Sequence, residues 1–195
     1  MAKQTQPRKR SWSTRDLLIA IVIGMAFGVI LIPVTNLYAG LRGLGVFVQT
    51  AVGSLYFVPV AFAAYVMRKP GVIVLVSFIS GVILLATPYG FYALLIEGLT
   101  GIIGEIVFWA ITRYRNFGTT RYVAAGGVVG LLEFWVILES LRSTNFEPMI
   151  LVLGVLVSIV AFAICAVVAK FLADGVARTG VLANTALGAN VADDI

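Results

Sequence analysis

Residues 90–111 read GFYALLIEGLTGIIGEIVFWAI, an apolar run that nevertheless holds two carboxylates, Glu97 and Glu105. They stand about two helical turns apart. A second apolar run, 122–140, holds Glu133 and Glu139. Neither run contains a lysine or arginine. An ionised carboxylate in hydrocarbon costs several kcal/mol unless it is hydrated, hydrogen-bonded or matched by a cation. Such acids suit the capture of a cation arriving from outside the chain. They would also suit proton exchange in a self-sufficient carrier of organic cations, which is the alternative reading.

The chain has no histidine and a single cysteine, Cys165. Zinc, copper and haem sites therefore lack their preferred ligands, and no intrachain disulfide can form. No P-loop GxxxxGK[ST] occurs and no internal repeat is visible, so uphill movement would need another chain's ATPase or an ion gradient. With no nucleophile–base pair and no metal cluster, an enzyme is not expected, and neither is a cofactor.

The elements that must position these acids are membrane helices. The chain has 195 residues, 61% of them hydrophobic and 12% charged, with a mean hydropathy of +1.04. Soluble domains carry about twice that share of charge. Runs of roughly 20 apolar residues cross a bilayer. Six lie near 16–36, 46–67, 71–87, 90–111, 122–140 and 148–172. The expected fold is an all-α integral membrane protein of six transmembrane helices. Residues 1–15 form a basic cytoplasmic arm, 16–172 the membrane domain and 173–195 a cytoplasmic tail.

Basic residues set the orientation. Lys3, Arg8, Lys9, Arg10, Arg15, Arg68, Lys69, Arg113, Arg115, Arg121, Lys170 and Arg178 fall on one side, and only Arg42 and Arg142 on the other. This bias places both termini in the cytoplasm. The fourth span then runs inward and the fifth outward, so Glu97, Glu133 and Glu139 gather toward the outer face. Aromatic residues share that side: Tyr56, Phe57, Tyr89, Phe91, Tyr92, Phe134 and Trp135. They suit a headgroup belt, and equally a flat cation held by stacking and cation–π attraction. Trp135, beside Glu133, is the leading aromatic candidate. Glu105, among Gly98, Gly101 and Gly104, is better suited to bond a neighbouring backbone. In the first span Ala20, Gly24 and Gly28 recur at every fourth residue, a smooth stripe open to internal packing or to a separate membrane subunit.

Six spans, that stripe and the absence of an ATPase together resemble the substrate-binding S components of energy-coupling factor (ECF) transporters. The segments AAYVMRKPG, GIIGEIVFWA and DGVARTGVLANTALG resemble the YkoE group more specifically, over residues 15 to 190 or so. The resemblance implies a subunit of the bacterial cytoplasmic membrane that captures thiamine or its hydroxymethylpyrimidine precursor on the outward side. It also implies a transmembrane T component and two ABC-type ATPases as partners. In that setting Glu97, Glu133, Glu139, Tyr56, Tyr89, Tyr92 and Trp135 would contact substrate. Ala20, Gly24 and Gly28 would dock the T component.

Overall fold

The computed structural model describes residues 12–140, 147–182 and 185–187. The side chains of Arg42, Glu139 and Ser140 lie outside that description, as does Arg142. Among the described residues the regular structure is entirely helical: α1 (Thr14–Gly40), α2 (Val46–Gly53), α3 (Phe57–Met67), α4 (Val72–Leu84), α5 (Phe91–Thr112), α6 (Thr119–Ser140) and α7 (Pro148–Arg178). Among the described residues five apolar helical stretches are long enough to cross a membrane, the α2–α3 stretch Val46–Met67 counting as one. The remaining one, α4, is apolar but has 13 residues, so it extends about 20 Å against a hydrocarbon core of about 30 Å.

Three boundaries have a clear local cause. Ser13 and Asp16 form a reciprocal capping box at the start of α1, each satisfying a backbone amide of the other. Pro148 begins α7, where its missing N–H costs nothing. The stretch 46–67, read from sequence as one span, is interrupted by a 3-10 turn at Ser54–Tyr56. Pro59 has no N–H to give Leu55, and its ring excludes that residue's carbonyl from regular helical placement. The Ser54 hydroxyl donates to the Ala51 carbonyl at 2.8 Å and supports the break. The interruption sets Tyr56 at the rim of a cavity described below.

Helix α3 is the centre of the bundle, buried at every position but Val58. Around it the helices approach through small residues. A Cβ at Gly126 would stand 2.8 Å from that of Ala166, and one at Gly130 would meet the Ser158 carbonyl at 2.6 Å. Ser158 also donates to the Gly130 carbonyl at 2.7 Å, joining α6 to α7. Without a hydrophobic drive between helices in lipid, close backbone approach and such bonds hold a bundle together.

The turn 68–71, RKPG, is tied at every residue. Arg68, at φ 50°, lies over the Tyr65 and Phe117 rings at 5.3 and 5.2 Å. Lys69 pairs with Asp16 at 2.5 Å, and the Trp12 indole donates to the Pro70 carbonyl at 3.2 Å. The Gly71 amide, at φ 85°, donates to Glu105 Oε1 at 2.6 Å. Glu105 thus bonds a neighbouring backbone, and the bond caps α4 from α5.

Candidate substrate-binding site

At the opposite end of the bundle, α1, the α2–α3 break, the α4–α5 turn, α5, α6 and α7 enclose a cavity. It holds about 610 Å³ of empty space, its open mouth included. Four tyrosines form one wall: Tyr38, Tyr56, Tyr89 and Tyr92. Their rings contact edge-on or tilted, with centroids 6.1 Å apart for Tyr38–Tyr56 and Tyr38–Tyr89, and 6.3 Å for Tyr89–Tyr92. The Tyr56 hydroxyl donates to Thr35 Oγ1 at 2.8 Å, and Thr35 donates in turn to the Leu31 carbonyl. Tyr56 is therefore fixed by a bond to the part of α1 beyond Pro33. Phe57, Ile96, Val136, Ile137 and Phe162 line the apolar floor.

Into this apolar and aromatic space comes one carboxylate, Glu133, which is 3% exposed. The Thr100 hydroxyl of α5 bonds it. Its Oε1 has no hydrogen-bond partner among the described residues. A buried acceptor left open beside a cavity is suited to a donor or a cation carried by a ligand.

Glu97 lies one helical turn from Thr100 and is 1% exposed. It is not part of the cavity lining. Its side chain turns to α4, where Oε2 lies 3.2 Å from the Ser80 hydroxyl. Gly81 opens the space, since a Cβ there would stand 3.1 Å from that of Glu97. Glu97 remains within electrostatic reach of Glu133 and of Tyr56.

The structure thus brings together Tyr56, Tyr89, Tyr92 and Glu133, with Glu97 directly behind them. Trp135 goes elsewhere. It is 72% exposed, because a residue two places from Glu133 on a helix faces the other way, and the ring lies on the outer surface of the bundle. Glu139 lies in the last turn of α6, and its side chain lies outside the described residues. The Ala20, Gly24 and Gly28 stripe is occupied from within. Ala20 is fully buried, and a Cβ at Gly24 or Gly28 would stand 2.8 or 2.9 Å from the Cβ of Ile79 or Ile83 on α4. Within the chain the stripe is the seat of α4.

Sequence reasoning passed over Tyr38 and Thr100. Tyr38 precedes the first loop and reads as an interface residue, while Thr100 is one polar residue in an apolar run. Its place three residues after Glu97, on the cavity side of the same helix, was the available signal.

A family model described as ABC-type cobalt transport system, permease component, matches residues 15–132. A protein of Bacillus subtilis (strain 168), named as the HMP/thiamine permease protein YkoE, is 27% identical over 183 residues, covering 92% of each chain. A solved structure described as an S component of an ECF transporter superposes with a TM-score of 0.87 at 26% identity, over 94% of this chain and 95% of that one. These relatives are transporter subunits and not enzymes. With its apolar helices the chain is a multi-pass membrane protein. It belongs to the family of ABC-type cobalt transport permease components, and its fold is that of an ECF transporter S component.

Proposed function

We propose that this protein captures thiamine or its hydroxymethylpyrimidine precursor on the outward side of the membrane, as the S component of an ECF-type importer. The observation that carries the reading is the open Oε1 of Glu133 at the wall of a cavity framed by four tyrosines. An aminopyrimidine edge offers donors to that carboxylate, and the thiazolium of thiamine is a cation for which tyrosine faces are suitable partners. The likeness to a protein named for HMP and thiamine supports the same class of ligand. The cobalt in the family's description finds no support in the donors available, because the sequence has no histidine and one cysteine.

In this reading the chain crosses the membrane six times, α4 being the short crossing, with both termini in the cytoplasm. A transmembrane T component and two ABC-type ATPases supply the energy. The bias of twelve bases against two supports the orientation.

The test is calorimetric titration of the purified chain with each ligand. Sub-micromolar binding of either one is expected, and so is its loss in Glu133→Gln with the fold retained. No binding of either, together with proton-coupled movement of organic cations by the lone chain in liposomes, would replace this reading with that of a self-sufficient carrier.

A further inference from the structure

Two buried acids at one site raise the question of how many charges that site holds. The Ser80 hydroxyl lies 3.0 Å from the Ser77 carbonyl and 3.2 Å from Glu97 Oε2. It has one proton and cannot donate to both acceptors. A proton on Glu97 resolves the conflict: Glu97 donates to Ser80, and Ser80 donates to Ser77. At Glu133 the geometry is different. The Thr100 hydroxyl bonds the carboxylate and the cavity opens beside it, so its Oε1 is left to accept from a ligand. The Oε1 of Glu97, equally without a partner among the described residues, lies away from the cavity lining.

Among the described residues the polar groups facing the two acids are Tyr38 from α1, Tyr56 from the α2–α3 break, Tyr89 from the α4–α5 turn, Tyr92 and Thr100 from α5, and Ser80 from α4. None of these is basic. A second unmatched charge within electrostatic reach of the first, on a carboxylate as buried as Glu97, would be repelled by it and poorly solvated.

We infer that the empty site holds one negative charge, on Glu133, while Glu97 remains a neutral acid bonded through Ser80 to Ser77, so that the site takes a monocation. The inference rests on the vitamin-capture reading and narrows it: thiamine, with one permanent positive charge, is preferred over the neutral hydroxymethylpyrimidine. Binding then leaves the pair of site and ligand without net charge, the state that hydrocarbon surroundings favour. Glu97 contributes shape and a hydrogen bond, and Glu133 contributes charge.

The test combines three readouts on the full chain in detergent. Calorimetry with thiamine at neutral pH, in two buffers of different ionisation enthalpy, is expected to give the same enthalpy, meaning that no proton is released. Glu97→Gln, which keeps a donor in place of the acid, should hold thiamine within about threefold, whereas Glu133→Gln should lose at least about tenfold. An infrared difference spectrum of wild type against Glu97→Gln should contain the C=O stretch of a protonated carboxyl group, a readout that needs no ligand. Release of about one proton per thiamine, absence of that band, or tighter binding of hydroxymethylpyrimidine than of thiamine would overturn the monocation inference while leaving vitamin capture in place. Failure of both ligands to bind would overturn the two together.

Discussion

Glu105 Oε1 accepts the Gly71 amide at 2.6 Å, so the N-terminus of α4 is capped by a side chain that stands on α5. Gly71 has no side chain with which to cap the helix itself. Its φ of 85° turns the chain sharply from α3 into α4. A carboxylate at that point meets both the free amide and the positive end of the helix dipole. The Tyr114 hydroxyl lies close to the same carboxylate. The result is a fixed junction of α3, α4 and α5 at the end of the bundle away from the cavity.

Removal of that cap should weaken the fold and leave the ligand site intact. Glu105→Ala is expected to cost about 1 kcal/mol of stability, and Glu105→Gln, which keeps an acceptor, less. The order wild type, Gln, Ala in melting temperature, with thiamine affinity unchanged within about twofold, checks this. An equal loss of affinity in both variants would instead join Glu105 to the ligand site.

The Tyr56–Thr35 bond makes a separate prediction. Tyr56 presents its ring to the cavity and anchors its hydroxyl on α1 at 2.8 Å. Tyr56→Phe keeps the face and loses the anchor, so thiamine affinity should fall by roughly fivefold, the value of one modest hydrogen bond. Tyr56→Leu removes the aromatic face as well and should lose roughly tenfold more. If Phe and Leu behave alike, the ring is not a contact of the cation.

How much of this was legible in the sequence depends on what each residue's neighbours are. The apolar runs placed the helices, because length and hydropathy are local properties. The shortness of α4 was legible too, since 71–87 is the shortest of the six runs, but the break at Ser54–Tyr56 was not, because a run of apolar residues reads the same across a Pro59-induced turn. Glu133 was legible as an acid with no base beside it. The side that Glu97 faces was not, because its partner Ser80 stands on another helix and only the packing at Gly81 brings them together. The Ala20, Gly24 and Gly28 stripe was visible as a smooth face, but its spacing alone does not distinguish an internal neighbour from an external one.

That stripe gives a third prediction. A side chain at Gly28 would meet the Ile83 Cβ at 2.9 Å and the Ser80 Cα at 3.2 Å, while one at Gly98 would meet nothing within 4 Å. Gly28→Val should therefore separate α1 from α4 and destabilise the isolated chain by about 1–3 kcal/mol. Gly98→Val should leave its melting temperature within the small range usual for surface substitutions. Thermal unfolding of the two variants, with no partner subunit present, separates a packing stripe from a docking stripe. Normal stability in Gly28→Val would return the stripe to the role of an external surface.

The positions of the tryptophans make the last prediction. Trp12, Trp109 and Trp135 are 39%, 62% and 72% exposed, and none lines the cavity. Trp12 is held at the far end of the bundle by its bond to Pro70. Trp135 is on the cavity half of α6, but on the outer surface of that helix. Ligand binding at Glu133 should therefore leave indole emission nearly unchanged, and Trp135→Phe should keep thiamine affinity within about twofold, as expected of a side chain outside the site. Tyrosine absorbance should respond instead, because Tyr38, Tyr56, Tyr89 and Tyr92 surround the ligand position. Strong quenching of tryptophan on adding thiamine, abolished by Trp135→Phe, would mean that the substrate binds outside this cavity, on the surface of α6.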